Sequence, residues 1–223
     1  MKSDKLFTIF QKQGYVSFDI ASFFPELTMC SKEFYEIDEE YWSWIIKNKN
    51  GEHDFYLKKH PKNLIENEKV SALSDYESGR FSFSFRRIVY DDIGKSVDCF
   101  NKVKSIVNSM RFFKFLEHVT GRELKKNTVI YLNRFDCGDF LTVHSDPGQS
   151  VGLVINFTLN WNMTHGGLTM ILDQAGKKII DTLIPNNMTA LIFDTGKKNI
   201  PHFVSMVTAK TQNKRIALVA RYD

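Results

Sequence analysis

Two histidines and one aspartate have the residue types and the spacing of a metal-binding set. His144 and Asp146 flank Ser145, and His202 follows 56 positions after Asp146. Two imidazoles and one carboxylate can hold non-haem Fe(II) on one face and leave the other coordination positions open. In an extended segment, His144 and Asp146 would lie on the same face, because side chains alternate along a strand. The tripeptide alone also fits an ordinary surface pair, so the surrounding residues decide between the two interpretations.

Short extended segments surround these residues and would have to position them. β-Branched and aromatic residues predict strands at 128–135, 140–144, 151–161, 168–172, 179–183, 188–194, 201–204 and 215–221. Turn-forming stretches such as 136–139 and 147–150 separate them. Short strands at regular intervals are typical of a β-sandwich or barrel. We therefore predict a β-barrel core over residues 128–223.

A basic residue opens the last of these strands, where a buried position would ordinarily be apolar. Arg215 lies 13 positions after His202 and precedes an apolar run. If its side chain points into the barrel, its planar guanidinium suits bidentate binding of a ligand carboxylate. A solvated basic edge is the alternative, because Lys210, Lys214 and Arg221 are close in sequence. Arg221, six residues further on and on the same face of the strand, is the competing candidate for the carboxylate.

Together these residues resemble the Fe(II)/2-oxoglutarate-dependent oxygenases. The resemblance covers residues 128–223 and rests on His144-Ser145-Asp146, on His202, and on Arg215 followed by Ala217. The stretch Gly138-Asp139-Phe140-Leu141 before His144, and the later Gly166-Gly167-Leu168, are similar to the prolyl-hydroxylase-like branch. The resemblance implies a double-stranded β-helix (jelly roll) braced by N-terminal helices, with Fe(II), 2-oxoglutarate and O2. It also implies that His144, Asp146 and His202 bind the iron and that Arg215 binds the distal carboxylate of 2-oxoglutarate.

Three further positions are interpreted through the same resemblance. Thr158, 14 residues after His144, lies near the place where this branch has a second contact to the distal carboxylate. Phe135 stands where many members have a tyrosine, so a hydroxyl donor expected there is missing. Members that halogenate have glycine or alanine where this chain has Asp146, so the carboxylate favours hydroxylation. The layout is also similar to the group that contains free-amino-acid halogenases and hydroxylases.

The composition fits one intracellular domain. The chain has 223 residues, 43% of them hydrophobic, and we predict a single domain over residues 1–223. Its 30 basic and 26 acidic residues give a net charge of +4, which is too balanced to favour nucleic acid. Three widely spaced cysteines favour a reducing compartment, and the sequence shows neither a signal peptide nor an apolar run long enough for a membrane span. We expect a cytoplasmic protein that does not bind membranes.

Residues 1–127 are predicted to form a helical scaffold with one strand at the entrance of the barrel. Amphipathic helices are predicted at 6–13, 31–48 and 97–119, ending at Gly14, Gly51 and Gly121. Phe81, Phe83 and Phe85 alternate with serines, which predicts a half-buried strand within 79–92. Arg80 and Arg86 share the polar face of that strand. One of them would bind a substrate carboxylate if this face lined the mouth; an ordinary solvated face is the alternative.

The predicted reaction is hydroxylation of an unactivated C–H bond, and the substrate is left open. A free amino acid or similar small metabolite is favoured by the compact chain and by the charged residues of the entrance strand. A prolyl or other residue in a protein is the alternative, because the barrel motifs permit both. A jelly-roll binding protein without activity would be expected to lack at least one of His144, Asp146, His202 and Arg215, and all four are present.

Overall fold

The computed structural model describes residues 3–198 and 200–223. Within these ranges the helices are α1 (Ser3–Gln13), α2 (Cys30–Tyr35), α3 (Lys62–Glu77), α4 (Asp98–Val107) and α5 (Met110–Thr120). The strands of the N-terminal half are β1 (Tyr15–Asp19), β2 (Ser43–Asn48), β3 (Gly51–Tyr56) and β4 (Phe83–Val89). The remaining strands are β5 (Asn127–Phe135), β6 (Phe140–His144), β7 (Val151–Asn156), β8 (Thr169–Leu172), β9 (Ile179–Leu183), β10 (Thr189–Asp194), β11 (His202–Val204) and β12 (Arg215–Tyr222).

These strands form one antiparallel sheet that curls on itself. Its order is β1-β10-β7-β12-β5-β4-β6-β11-β8-β9, and the β2–β3 hairpin extends it beside β4. The sheet turns at β4, because residues 86–89 pair with β5 whereas Phe83 and Ser84 pair with β6. The predicted jelly-roll core is confirmed, and each strand predicted within 128–223 has a counterpart, with ends that differ by a few residues.

The last strand shows how the sheet separates its two faces. Ile216, Leu218 and Ala220 are fully buried in the main core, against helices α1, α4 and α5. The alternate residues, from Arg215 to Arg221, line an internal cavity on the other face. Because side chains alternate along a strand, β12 both anchors the helical layer and supplies one wall of the cavity.

Two of the three predicted helices need correction in their extent. The helix predicted at 6–13 is confirmed as α1, and Gly14 follows it with a positive φ of 84°. The predicted helix 97–119 is two helices, because Ser109 begins a new one by accepting a hydrogen bond from the Phe112 amide. Gly121 ends α5 in the left-handed conformation, as predicted.

The prediction of a single helix over 31–48 is wrong. The helix α2 ends at Tyr35, and residues 43–48 form the strand β2, which pairs with both β3 and β4. Trp44, Ile45 and Ile46 are all buried, because α3 covers one face of this part of the sheet and the other face borders the cavity. A strand buried on both faces has no alternation, and its apolar run imitates helical spacing. Gly51 consequently begins β3 instead of ending a helix.

The helix α3 and the strand β3 were not predicted, and the N-terminal half therefore contributes more to the sheet than one entrance strand. Both elements lie next to β2, and β1 pairs with β10 along its whole length. Over the described residues, no helix has the length and apolar character needed to cross a membrane.

Candidate active site

The structure brings the three predicted metal ligands together. β6 and β11 pair with His144 opposite His202, and the two imidazole ring centroids are 4.3 Å apart. Asp146 lies two residues beyond the end of β6, in the turn that follows it. One ligand atom from each of the three side chains can be chosen so that all lie within 4.8 Å of one another. The antiparallel pairing therefore brings together His144 and His202, which are 58 positions apart in sequence, and Asp146 completes the compact cluster.

The hydrogen bonds of the two imidazoles leave one nitrogen of each ring available. Nδ1 of His144 lies 3.0 Å from the carbonyl oxygen of Thr142, and Nδ1 of His202 lies 2.9 Å from that of Ile200. A carbonyl only accepts, so Nδ1 carries the proton and donates it, and the Nε2 lone pair is free. The two Nε2 atoms face Asp146, at 3.9 Å from Oδ1 and 3.6 Å from Oδ2 respectively. This donor set fits a divalent metal.

The surroundings favour the protonation states that metal ligands need. Burial, and after it the proximity of His144, lowers the pKa of His202 to about 3. Burial also lowers the pKa of His144. Burial opposes ionisation of Asp146, but Arg221 and the two histidines outweigh it and hold the pKa of Asp146 below its usual value. At neutral pH the set is therefore two neutral imidazoles and one carboxylate.

Arg221 is bound to the carboxylate of Asp146, a member of the triad of His144, Asp146 and His202. Its Nη2 donates to Oδ2 of Asp146 at 2.5 Å, and its guanidinium carbon lies 5.2 Å from the ring centroid of Phe193. Arg221 was the sequence-based competitor of Arg215 for a ligand carboxylate. Its charge is already paired, so Arg221 is a weaker candidate for that role.

Arg215 lies in the same cavity as the two histidines and Asp146. The side chain is buried, Nη2 donates to Oγ1 of Thr169 at 3.1 Å, and Nε has no hydrogen-bond partner among the described residues. Its guanidinium carbon lies 4.6 Å from the ring centroid of Phe135. Among the residues that the structure describes, no carboxylate forms an ion pair with Arg215, and burial lowers its pKa to about 9. A buried cation without a partner is costly, so this end of the cavity is suited to an anion.

This inner cavity has a volume of about 80 Å³, and its wall includes both Arg215 and the triad of His144, Asp146 and His202. Its wall includes the apolar side chains Leu191 and Val204. Tyr131 and Asn133 also line it, and sequence reasoning did not select either residue. Tyr131, Asn133 and Phe135 alternate along β5 and therefore share one face of the strand. Once Phe135 was assigned to the barrel interior, this alternation could have identified the other two residues.

The predicted contact from Thr158 is not observed. Oγ1 of Thr158 donates to the carbonyl of Ile216 and accepts from the Ile216 amide. Both hydrogen bonds tie the hydroxyl to the backbone of β12, and Thr158 does not line the cavity. Thr169 takes the place beside Arg215 instead. Thr169 follows the Gly166-Gly167-Leu168 stretch. Gly167 allows the Arg215 side chain to lie close to the backbone, since a Cβ at position 167 would be 3.1 Å from Cδ of Arg215.

Arg80 and Arg86 do not line the mouth. Nε of Arg80 binds Oδ1 of Asp75 at 2.7 Å. Arg86 forms ion pairs with Asp136 and Glu39 and stacks on Trp44. The phenylalanine face of β4 is the one turned to the cavity, so the positions of Arg80 and Arg86 give no support to the substrate role predicted for them.

Comparison of whole structures shows the fold. A 2OG-Fe(II) oxygenase family oxidoreductase from Burkholderia pseudomallei superposes with a TM-score of 0.63 at 15% identity, covering 100% of this chain and 91% of that one. A prolyl hydroxylase from Trichoplax adhaerens, solved with a hypoxia inducible factor peptide fragment, has a TM-score of 0.61 at 14% identity, with 99% and 88% covered. The non-heme alpha ketoglutarate dependent epimerase SnoN from nogalamycin biosynthesis has a TM-score of 0.56 at 11% identity, with 99% and 82% covered. The sequence matches no protein-family model and no curated protein. The chain has the fold of the 2OG-Fe(II) oxygenases.

Proposed function

We propose that the protein is an Fe(II)- and 2-oxoglutarate-dependent dioxygenase that hydroxylates an unactivated C–H bond. One observation carries this proposal. The His144, Asp146 and His202 cluster shares a single cavity with Arg215, a buried guanidinium that has no acidic partner within residues 3–198 and 200–223. The cluster suits Fe(II), and the unpaired cation suits the distal carboxylate of a dicarboxylate co-substrate. A metal site that did not use 2-oxoglutarate would have no need of Arg215.

The residues of the chain fit both groups. His144 and His202 would bind Fe(II) through Nε2 and Asp146 through a carboxylate oxygen, and Arg215 with Thr169 would bind the distal carboxylate. Fe(II) with 2-oxoglutarate supplies oxidation of a C–H bond by O2, with release of succinate and CO2. Arg221 holds one oxygen of Asp146, and the ring of Phe135 covers the guanidinium of Arg215. Apolar side chains exclude bulk water from the remainder of the cavity.

The substrate in this proposal is a free amino acid or a similar small metabolite. Its support is a second cavity of about 470 Å³, which meets the inner one at His144 and Asp146. This volume is within the size range of small-molecule sites. A peptide substrate, as in the Trichoplax adhaerens complex, is the alternative. The carboxylate of Asp146 occupies a position that halogenation would need open, which supports hydroxylation. A cytoplasmic location is also proposed, on the free thiols of Cys30, Cys99 and Cys137.

The proposal is tested by adding Fe(II) and 2-oxoglutarate to the protein without O2. A weak visible metal-to-ligand charge-transfer band is expected, because the keto acid chelates the metal. The band should be absent in His202→Ala. His118→Ala provides the matched control, since His118 is half exposed on α5 and distant in the fold from the triad. If the wild-type protein binds Fe(II) but shows no band with 2-oxoglutarate, the co-substrate assignment fails.

A further inference from the structure

The outer cavity has a wall of stacked aromatic rings that leads to the active site. Phe81, Phe83 and Phe85 lie on one face of the chain at β4, with successive ring centroids 5.7 and 5.4 Å apart. Phe85 stacks on Phe135 at 4.7 Å, and Phe135 contacts Arg215. Phe81 is the outermost ring and is 47% exposed, which is unusual for a phenylalanine beside a catalytic cavity. The wall therefore offers apolar contact from the surface inwards.

The charged residues of this cavity are not arranged to bind a carboxylate. Arg87 is the basic residue among the lining side chains, and its Nε and Nη2 both donate to the carboxylate of Asp54, at 3.0 and 2.5 Å. Asp54 also accepts from the hydroxyl of Ser43, which fixes this pair in place. A bidentate pair of this kind occupies one edge of the guanidinium and compensates its charge, which weakens the attraction of Arg87 for a substrate anion.

Glu52 is the acidic residue that remains available. Its carboxylate lies 4.0 Å from Nη1 of Arg87, a guanidinium that Asp54 has already neutralised, and half of its side chain is exposed. Lys47 is its cross-strand neighbour, but the Lys47 ammonium donates to the carbonyl of Asn48 at 3.2 Å and does not line the cavity. Asp146, the other acid of the wall, is paired with Arg221. The outer cavity thus presents one carboxylate, Glu52, whose nearest cation among the described residues is Arg87 at 4.0 Å, a guanidinium that already binds Asp54.

We infer that the outer cavity binds a small apolar substrate that carries a cationic amine, with Glu52 binding the amine and the Phe81 and Phe83 rings contacting the apolar body. The inference rests on the proposed function and specifies its substrate class. Opposite ends of the combined cavity then attract opposite charges. Arg215 attracts the carboxylate of the co-substrate at the inner end, and Glu52 attracts the amine at the outer end. Aromatic faces add attraction for a cation, since their quadrupoles are negative at the face.

The experiment compares three ligands with one ring and different charges. We titrate the protein, loaded with Fe(II) and 2-oxoglutarate without O2, with 2-phenylethylamine, 2-phenylethanol and phenylacetate, and measure binding by calorimetry. The amine should bind most tightly and the acid least. Glu52→Gln should weaken amine binding by about fivefold, which corresponds to about 1 kcal/mol for an exposed ion pair, and leave the alcohol unchanged. Raising the ionic strength should reduce the preference for the amine.

Glu66→Gln is the matched control, because it removes the same charge from the exposed surface of α3, on the other side of this part of the sheet. It should keep the preference for the amine. Equal binding of the three ligands, tighter binding of the acid, or an undiminished preference in Glu52→Gln would overturn the inference. A capped Phe-Lys peptide that bound more tightly than 2-phenylethylamine would overturn the assignment of a small substrate. The charge-transfer band of the same samples reports on the proposed function separately, since it requires no substrate.

Discussion

Arg221 and Asp146 form an ion pair inside the barrel, with Nη2 of Arg221 2.5 Å from Oδ2 of Asp146. The pair connects the strand β12 to the turn after β6, across the inner cavity. Oδ1 of the same carboxylate is oriented towards His144, at 3.9 Å from its Nε2. An arginine that binds one carboxylate oxygen fixes the rotamer of Asp146 and leaves the other oxygen for a metal.

Replacing Arg221 should therefore weaken metal binding without removing a ligand. Loss of a residue that orients a metal ligand typically reduces affinity by about 10–100-fold. We expect Arg221→Ala to weaken Fe(II) binding within this range, and Arg221→Lys to weaken it less. A metal titration without O2 measures the effect. Arg111→Ala serves as the control, because its ion pair with Glu26 is on the surface. Unchanged Fe(II) affinity in Arg221→Ala would show that Asp146 is held by other contacts.

Replacing Arg215 should impair 2-oxoglutarate binding and leave the metal in place. Removing one partner of a buried charge pair costs about 2–5 kcal/mol, and about 1.4 kcal/mol corresponds to tenfold in affinity. Arg215→Ala should thus raise the dissociation constant of 2-oxoglutarate by roughly thirtyfold or more. The charge-transfer band provides the measurement. A normal constant in Arg215→Ala together with a large change in Arg221→Ala, at unchanged Fe(II) affinity, would assign the carboxylate to Arg221.

The buried charge of Arg215 should lower the free energy of unfolding of the ligand-free protein. Arg215 is a buried cation without an acidic partner in the part of the chain that the structure describes, so the protein without ligands bears its desolvation cost. Arg215→Met fills a similar volume without the charge. We expect it to raise the free energy of unfolding of the ligand-free protein, by about 1–3 kcal/mol, while it abolishes 2-oxoglutarate binding. Denaturant unfolding of both proteins tests this, and a destabilised Arg215→Met would mean that the guanidinium is well solvated in the cavity.

Asp146→Gly tests the position that separates hydroxylation from halogenation. The substitution removes the carboxylate ligand and frees the side of the metal on which it lies. We expect hydroxylation to be lost and weak chloride binding to be gained, which the shift of the charge-transfer band on addition of chloride would report. Full hydroxylation in this variant would show that Asp146 is not a metal ligand.

Asp194, the last residue of β10 before the loop that leads to His202, should make the stability of the protein sensitive to acid. Its carboxylate accepts from the amides of Gly196 and Lys197, at 2.9 and 2.8 Å, and binds Arg122 at 2.6 Å. Burial opposes ionisation, but these contacts, led by Arg122, lower the pKa of Asp194 below its usual 3.8. The stabilisation is complete above the unfolded pKa and is lost as the pH falls through the lower folded value. Asp194→Asn should be less stable by about 1–3 kcal/mol at neutral pH and show a smaller loss in acid, as denaturant unfolding at several pH values would reveal.

Local sequence was sufficient to predict the triad and most of the barrel strands. His144 ends a strand and Asp146 follows two residues later, and the period-two alternation of an extended segment predicts them on one face. The strands from β5 to β12 were predictable because turn residues separate them at short intervals. The segment 31–48 was not, because β2 is buried on both faces and loses the alternation by which a strand is recognised.

The direction of β4 was decided only by tertiary structure. Alternation shows that phenylalanines occupy one face and Arg86 the other, but it does not show which face meets the cavity. The packing of α3 and Trp44 on the Arg86 face turns the phenylalanines inwards. The contact between Thr169 and Arg215 likewise depends on how β8 and β12 approach across the barrel, 46 residues apart in sequence. Side-chain chemistry and spacing thus determined which residues could bind a metal and a carboxylate, and long-range packing determined which of them face the same cavity.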